Sequence, residues 1–404
     1  MENNPPPRIA EIVLVTPDGK VCGWLPPVAV ATPWWQDAAP VTDAVRKQFG
    51  IDIVLLRLLS ADLPEPAGGR VTYLAEVSEP VEALPWCGTL DDHPLRLPYA
   101  RPGGPKAEFD WALGALARLG IAVTGEPAQV RSWNLSSVWR IPSEGQTVWL
   151  KSVPPFFAHE AMMIATLDGN KTPRLLASEG AKMLLAEIPG EDLHKPNPRQ
   201  RLEMVSILTR LQARFAGRAE ELLATGLPDW RAPALEAAII DVISRTKSQL
   251  PAQDDAALHE FAKRLPGRFA AIAACGIPDT LVHGDFHPGN FRGQGGELIL
   301  LDWGDSGIGH PLLDQPAFLE RAPEAELISV QRHWNREIQN AWPGSDPARA
   351  SRLLAPVAAA RQAVIYRKFL DNIEPSERVY HRNDPARWLR RAADSLRGEA
   401  AAPA

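Results

Sequence analysis

The sequence is poor in cysteine, and its three cysteines lie far apart. Cys22, Cys87 and Cys275 form no C-x-x-C pair, which argues against a disulfide framework and against a zinc site built from thiolates. Few, widely spaced cysteines are typical of a protein in a reducing cytoplasm. Residues 1–7 contain three consecutive prolines and a glutamate instead of a basic stretch followed by an apolar run. We therefore expect no secretory signal.

Long apolar runs are also missing. The most membrane-like stretch, residues 21–36, contains three prolines and falls short of the ~18 apolar residues that a spanning helix needs. We therefore expect no membrane partner, and we interpret this stretch as a strand, a turn and a second strand. No segment repeats at a period of about 20 to 50 residues, which makes solenoids and propellers unlikely architectures.

Neither sign of charge is in large excess. The 43 Lys and Arg residues stand against 49 Asp and Glu residues, a net charge of −6, so the overall charge gives no reason to expect a nucleic-acid partner. The content of 45% hydrophobic and 23% charged residues is typical of a packed globular protein. At roughly 150 residues per domain, the length predicts two or three domains.

The chain divides by composition near residue 105. Residues 8–100 are short apolar runs broken by turns, with one helix predicted over 41–49. Residues 94–105 hold four prolines and two glycines, which is typical of a linker. We therefore predict a first domain with its linker over residues 1–105.

The second part of the chain, residues 106–404, predicts a small sheet-rich lobe followed by a larger helical lobe. The small lobe spans about 106–190, with strand-like runs at 138–141 and 148–153 around a turn. The large lobe spans about 191–404 and is mostly helical in pattern apart from residues 281–302. Its last helix is predicted to start at Asp384 and to pack on the lobe.

The most informative segment, residues 281–305, reads LVHGDFHPGNF, then LILLDWGD after a short connection. Two apolar runs enclose a loop, and the Pro288-Gly289 turn allows Asp285 and Asn290 to face one point, which Asp302 can also face. Phosphoryl transfer needs a carboxylate to receive the proton of the nucleophile, and an amide and a carboxylate to hold Mg²⁺ on the phosphates. The spacing suits a kinase.

This segment resembles the aminoglycoside phosphotransferase and choline kinase family, whose fold is protein-kinase-like. The family pattern H-x-D-x-x-x-x-N is matched by His283, Asp285 and Asn290, and its metal-binding aspartate by Asp302. The resemblance implies ATP as donor and Asp285 as the catalytic base. It also implies that Asn290 and Asp302 are Mg²⁺ ligands and that His283 chiefly organises the loop.

Upstream residues occur in the order that such a kinase requires. Lys151, at the end of a predicted strand, resembles the lysine that contacts the α and β phosphates, and Glu160, in the next helix, is placed to pair with it. Residues 183–190, including Glu187 and Ile188, resemble the hinge whose backbone meets adenine. We predict that all four residues belong to the nucleotide site.

The loop predicted over the phosphates, residues 132–139, contains no glycine. This departs from the kinase pattern, so Asn134, Ser136 and Ser137 must supply polar groups there. We place Ser136 and Ser137 among the nucleotide-binding residues.

Each assignment has an alternative. The segment with Asp285 is alternatively a purely structural hairpin, and Lys151 and Glu160 are alternatively ordinary exposed residues. His283 and His287 suggest a zinc-dependent hydrolase, although the Pro288-Gly289 turn disfavours a helix that would pair them. For Asp314 we favour a structural cap over a substrate contact.

The first domain resembles a degenerate Nudix-type module. The helix that would carry the Nudix metal ligands has Ala44, Lys47 and Gln48 where that family has glutamates. Without those carboxylates a divalent cation has no ligand cluster. We therefore predict that the first domain has no diphosphate hydrolase activity.

These observations predict an α+β protein: a two-lobed protein-kinase-like domain preceded by a small α/β Nudix-like domain. The predicted activity is Mg²⁺-dependent transfer of the γ-phosphoryl group of ATP to a hydroxyl of a small molecule, such as an aminoglycoside, a sugar or an amino alcohol. The alternative is a nucleotide-binding regulator without transfer activity. The acceptor, the choice of ATP or GTP, the role of the first domain and the oligomeric state stay open.

Overall fold

The computed structural model of the protein describes residues 5–294 and 296–401. Residues 1–4 of the segment considered above for a leader lie outside the described residues. The chain forms two units. The first consists of the residues up to Ala161, Arg174–Glu187 and Phe369–Arg382, and the second of Met162–Pro173, Ile188–Lys368 and the residues from Asn383 onward.

The first unit begins with a mixed sheet and one helix. Its elements are β1 (Arg8–Val15), β2 (Val21–Val30), α1 (Ala39–Phe49), β3 (Val54–Ala61) and β4 (Gly69–Glu76). The sheet order is β2-β1-β4-β3, and β1 pairs with β4 in parallel. Alternate apolar side chains of the strands pack with Val41 and Val45 of α1. Gly50 ends α1 with a φ of 70°, a conformation that glycine adopts without strain.

The expected strand, turn and strand over residues 21–36 was wrong, because β2 is one strand that runs through Pro26 and Pro27. β2 lies at the edge of the sheet. Proline is tolerated at an edge because its missing N–H would face no partner strand. The register with β1 shifts between Ala10 and Ile12, opposite the two prolines.

A second sheet of the first unit follows. Its elements are α2 (Gly104–Arg118), β5 (Ala128–Trp133), β6 (Ser136–Ser143), β7 (Gln146–Ser152), β8 (Leu175–Glu179) and β9 (Lys182–Ala186). The helix α3 (His159–Leu167) has only its first turn, up to Ala161, in this unit. The order is β5-β6-β7-β9-β8, and all pairs are antiparallel. Ala112 and Leu116 of α2 pack in one cluster with Ile141, Leu150 and Leu184.

The second unit is mainly helical. Its elements are β10 (Glu191–Asp192), α4 (Pro198–Arg214), α5 (Ala219–Leu223), β11 (Asp229–Trp230), α6 (Ala232–Thr246), α7 (Ala252–Ala273), β12 (Thr280–Val282), β13 (Phe291–Gln294), β14 (Glu297–Leu300), β15 (Gly307–Gly309), α8 (Gln315–Leu319), α9 (Glu324–Ala341), α10 (Pro347–Asn372) and α11 (Asp384–Ala401). The last helix starts at Asp384, as predicted. Among the described residues, we find no helix with the length and apolar character to cross a membrane.

Two small strand groups frame the predicted catalytic loop. β12 pairs with β15 in a sheet of order β11-β15-β12, and β14 pairs with β13 in another sheet. The expected hairpin between the two apolar runs that enclose the loop, residues 281–282 and 298–301, was therefore wrong, because each run pairs with a different strand. The loop with Asp285 connects β12 to β13, and Asp302 follows β14. The predicted α+β fold, with a β-rich part followed by a helical lobe, is confirmed. The domain boundary near residue 105 stays a prediction, and residues on both sides of it belong to the first unit.

Candidate active site

The loop after β12 turns sharply at Gly284. Its φ is +92°, and a Cβ built on it would lie 2.0 Å from the carbonyl oxygen of Asp305. Both the conformation and the close approach therefore require glycine. The turn brings the backbone of the Asp285 loop against the backbone of the segment that carries Asp302.

His283 is fully buried and uses both ring nitrogens inside this loop. Its Nε2 lies 2.8 Å from the carbonyl oxygen of Leu301, and its Nδ1 accepts from the backbone N–H of Asp285 at 3.3 Å. Burial lowers the pKa of His283, so the ring is neutral and the proton sits on Nε2. These are the contacts of a residue that organises the loop.

Asp285 and Asn290 lie side by side. The Asn290 Nδ2 donates to the backbone oxygen of Asp285 at 2.8 Å and to its carboxylate Oδ2 at 3.1 Å. The backbone N–H of Leu301 donates to the backbone carbonyl oxygen of Asn290 at 2.8 Å. Asn290 is therefore tied both to the predicted base and to the residue before Asp302.

The carboxyl group of Asp285 is ionised at neutral pH. Burial acts to raise its pKa, but the His287 ring, 3.4 Å away, together with His283 and the amide of Asn290, lowers it to about 2. A carboxylate with this pKa is a weak base and a good hydrogen-bond acceptor.

Asp302 is exposed and has a φ of 60°, a left-handed conformation that is unusual for a residue other than glycine. Three residues on, Asp305 is half-buried. Burial, followed by the charges of Asp285 and Asp302, raises the pKa of Asp305 to about 7. Asp285 and Asp305, both near Asp302 in this segment, are thus shifted in opposite directions, the pKa of Asp285 downward and that of Asp305 upward.

The first unit contains the predicted lysine pair. Lys151 Nζ lies 2.6 Å from Glu160 Oε1, with the lysine side chain 14% exposed and the glutamate 1% exposed. The strand β7 and the helix α3 hold the two residues, so the spacing correctly placed them together. Their roles toward a nucleotide stay predictions.

The other predicted nucleotide residues have internal partners. The Ser136 and Ser137 hydroxyls accept from the indole N–H groups of Trp133 and Trp139, both at 3.0 Å. Glu187 accepts from the Trp149 indole at 2.5 Å. Their parts in nucleotide binding stay predictions.

In the second unit, the backbone oxygen of the predicted hinge residue Ile188 accepts from Arg292 Nε at 2.8 Å. This oxygen is therefore already used by the protein, and the hinge role of Ile188 stays a prediction.

The alternative zinc pair finds no support in this geometry. His283 has both nitrogens engaged, and the described part of the chain contains no group of three or more His, Cys, Asp or Glu residues that could hold a metal ion. Asn290 and Asp302 instead offer oxygen donors, the type that Mg²⁺ prefers, and bound phosphates would complete the coordination. The residues present therefore fit Mg²⁺.

Sequence comparison decides the family. The model of the phosphotransferase enzyme family matches residues 129–351, more than half of the chain. The chain belongs to this family. The match includes Lys151, Asp285, Asn290 and Asp302, and it begins after the first domain, so the Nudix-like resemblance stays a prediction.

A solved structure agrees on the fold. The chain is similar to a choline kinase from Cryptosporidium parvum Iowa II, with 12% identity and a TM-score of 0.50 over 72% of this chain and 95% of that one. It is also similar to the macrolide 2′-phosphotransferase from Brachybacterium faecium, with 19% identity and a TM-score of 0.49 over 69% and 98% of the two chains. No curated protein matches the sequence. The enzyme is thus an ATP-dependent small-molecule phosphotransferase, as predicted.

Sequence reasoning missed how the enzyme holds its loop. The expectation that Asp314 caps a helix was wrong, because its side chain makes no cap hydrogen bond at the start of α8. Its buried carboxylate instead accepts from the backbone N–H groups of His283 at 2.9 Å and Gly284 at 2.8 Å, and from Gln212 at 3.2 Å. The motif after β15 pointed to Asp314 but not to its partners.

Arg361 and Gln362 of α10 also hold this loop. The Arg361 guanidinium, 1% exposed, donates to the carbonyl oxygens of Gly284 and Asp305, both at 3.3 Å, and lies over the Trp230 ring at 4.8 Å. The Gln362 amide also donates to Gly284, at 3.2 Å. No local signal in the sequence marks these two residues, because their shared partner Gly284 is 77 and 78 residues away.

Proposed function

We propose that this enzyme transfers the γ-phosphoryl group of Mg²⁺-ATP to a hydroxyl of a small molecule, with Asp285 as the catalytic base. One observation carries the proposal: Asn290 donates to the Asp285 carboxylate at 3.1 Å while its backbone is bonded to the residue before Asp302. This arrangement supports a base and two metal ligands that act on one phosphoryl group.

Asp285 orients the acceptor hydroxyl more than it activates it. Because its pKa is about 2, it draws the proton away only as the acceptor oxygen bonds to the γ-phosphorus. The bond from that phosphorus to the β-bridging oxygen breaks at the same time, ADP leaves, and the hydroxyl proton ends on Asp285. In a loose transition state this late proton transfer suffices.

Asn290 and Asp302 are the proposed Mg²⁺ ligands. The Nδ2 of Asn290 already donates to Asp285, so its Oδ1 is the atom that would face the metal. When bound, Mg²⁺ neutralises charge on the phosphates and holds them for transfer.

Lys151 is proposed to contact the α and β phosphates. Its ion pair with Glu160, whose side chain is 1% exposed, restricts the lysine to a few conformations before the nucleotide arrives, which lowers the entropic cost of binding. Glu187 and Ile188 are proposed to form the adenine hinge through their backbone, and Ser136 and Ser137 to belong to the phosphate loop.

The test is a coupled assay of nucleotide turnover with Mg²⁺ and either ATP or GTP. The acceptor panel contains aminoglycosides, sugars, amino sugars, amino alcohols including choline, and nucleosides. We expect turnover with one acceptor class, and a loss of at least 1,000-fold, in order of magnitude, in Asp285→Ala and Asp285→Asn.

Asp241→Asn is the matched control, because Asp241 is an exposed aspartate of α6 whose side chain pairs with Arg245 on the surface. It should retain full activity. An Asp285→Asn enzyme with near wild-type turnover would refute the assignment of the base. Full turnover of the wild type without Mg²⁺ would refute the assignment of Asn290 and Asp302 as metal ligands.

A further inference from the structure

The tip of the turn between β5 and β6 is buried although it belongs to the proposed phosphate loop. Asn134 at this tip is 3% exposed. Its Nδ2 donates to the backbone oxygen of Glu377 at 3.2 Å, and its Oδ1 lies 3.1 Å from Nε2 of His381. Both partners belong to residues 374–381, here called the strap, a segment of the first unit between α10 and α11.

The strap is fixed on its other side to the first sheet. The carboxyl oxygen Oε1 of Glu377, a residue that is 3% exposed, accepts from the backbone N–H of Leu58 in β3 at 2.7 Å. β3 is an edge strand, so this N–H has no partner strand. One strap residue, Glu377, therefore joins the edge of the N-terminal sheet to the tip of the loop.

The strand that leads into the loop is fixed to the same edge. The Gln129 side chain accepts from the Leu55 N–H and donates to the Leu55 oxygen, both at 2.8 Å, and Ser132 Oγ donates to the Leu56 oxygen at 3.3 Å. Side chains of β5 and of the strap thus cover successive backbone groups of β3, which an uncovered edge would leave unpaired.

Aromatic rings complete the arrangement. The Trp133 ring lies 5.6 Å from that of Tyr380, edge to face, and its backbone oxygen accepts from the Tyr99 hydroxyl at 2.8 Å. Tyr380 and Val379 of the strap are buried in the core of the N-terminal sheet. Displacing the strap would therefore expose apolar core as well as break hydrogen bonds.

We propose that the strap and the N-terminal sheet together position the phosphate loop for nucleotide binding, with Asn134 and Glu377 as positioning residues. The inference rests on the proposed function, because it takes this loop to lie over the phosphates. It explains how a loop without glycine works: the fixed contacts of its tip set its shape in advance. The N-terminal domain then has a definite role, as part of the support of the nucleotide site.

The protonation state of Glu377 makes this arrangement sensitive to pH. Burial, with the nearby charge of Glu374, raises the pKa of Glu377 to about 8, against the opposing effects of the Leu58 N–H and Arg57. The titratable groups that face it come from β3, the loop before α2, β4 and the strap itself: Arg57, Tyr99, Tyr73, Glu374 and Tyr380. Below pH 8 the carboxyl is neutral, and above it the strap carries a buried negative charge.

The test measures the loop and the nucleotide separately. Hydrogen exchange of the amides of residues 133–137 is measured without nucleotide, and calorimetry gives the Kd of Mg²⁺-AMP-PNP at pH 7 and pH 9. We expect Asn134→Ala and Glu377→Ala to speed loop exchange at least 10-fold and to raise the Kd 5- to 10-fold, with thermal unfolding still cooperative.

Glu377→Gln is the conservative variant, because its amide oxygen still accepts from Leu58 and cannot ionise. We expect it to bind Mg²⁺-AMP-PNP like the wild type at pH 7, and to keep this affinity at pH 9, where the wild type weakens. Ser376→Ala is the matched control in the same segment, because the buried Ser376 Oγ has no partner among the described residues. It should change neither readout.

Unchanged loop exchange in Asn134→Ala and Glu377→Ala would show that the strap contacts do not hold the loop, and would overturn the proposal. Faster exchange with an unchanged Kd would show that the strap holds the loop without positioning the nucleotide, which also overturns the proposal. If the wild type binds no Mg²⁺-AMP-PNP at all, the proposed function fails and the positioning role fails with it, whereas the exchange data still report on the contacts themselves.

Discussion

The carboxylate of Asp314 accepts a hydrogen bond at 2.8 Å from the backbone N–H of Gly284, the residue immediately before the proposed base. The same carboxylate accepts from His283 at 2.9 Å. A side chain on a residue that is 1% exposed thus holds the backbone that leads into Asp285. Such groups are expected to affect turnover as strongly as many residues that touch the substrate.

Replacing Asp314 tests this expectation. In Asp314→Ala the two N–H groups stay buried without an acceptor, which costs about 1–3 kcal/mol each. We expect a fall in kcat of about 100-fold and a lower unfolding temperature, with Asp314→Asn intermediate because one amide oxygen replaces two carboxylate oxygens. Steady-state kinetics and calorimetry measure both. Wild-type kcat in Asp314→Ala would contradict the role.

Arg361 makes a second, separable prediction. Arg361→Met removes the donors to the oxygens of Gly284 and Asp305, and Arg361→Lys restores the charge without the planar fork that reaches both. We expect kcat to fall about 10- to 100-fold in Arg361→Met and less in Arg361→Lys, while KM for ATP changes less than 3-fold, in order of magnitude, because the loop and not the nucleotide contact is displaced.

Arg352→Met is the control for that series, because Arg352 is exposed on the same helix. It should leave kcat unchanged. If Arg361→Met instead raised KM for ATP by the factor expected for kcat and left kcat unchanged, Arg361 would act on nucleotide binding.

The Lys151–Glu160 pair predicts an effect on the nucleotide. Glu160→Ala removes the buried carboxylate that contacts the lysine, and we expect KM for ATP to rise about 10-fold and kcat to fall less. The matched control is Lys171→Met, which breaks an ion pair of the same 2.6 Å distance in which Glu297 is 79% exposed. Exposed pairs contribute little, so the control should behave as wild type. Equal effects of the two variants would contradict the assignment.

The sequence placed the residues that form local motifs and missed those that join distant segments. His283, Asp285 and Asn290 lie within one loop, and Lys151 and Glu160 are nine residues apart, so spacing predicted that they come together. Glu377 and Leu58 are 319 residues apart, and no periodicity relates them. The strap and the Arg361 contacts depend on how helices and sheets pack, which a local pattern does not record.

β2 shows the opposite error, in which a local rule was applied too strictly. Pro26 and Pro27 predicted a turn, yet the strand continues through them because it lies at the sheet edge. The position of a strand in a sheet is a tertiary property. The role of Asp314 also depends on tertiary structure. Its motif suggested a helix cap, whereas its partners are two backbone N–H groups about 30 residues away.

Glu108 makes a prediction about stability and pH. This α2 residue is 5% exposed, and burial raises the pKa of its carboxyl from the ordinary 4.5 to about 7, against weaker opposing effects of Ser152 and Lys182. The folded state therefore binds the proton more tightly than the unfolded state. The stability that this provides is fully present below pH 4.5 and is lost as the pH rises through about 7.

Glu108→Gln removes that titration while keeping the size of the side chain. We expect the difference in unfolding free energy between Glu108→Gln and wild type to move in favour of the variant by on the order of 2 kcal/mol between pH 5 and pH 8. Urea unfolding at a series of pH values measures this difference. Glu126→Gln should show no such trend, because Glu126 is an exposed glutamate before β5. A difference that stays constant from pH 5 to pH 8 would mean that Glu108 remains ionised in the folded protein and has a partner strong enough to offset its burial.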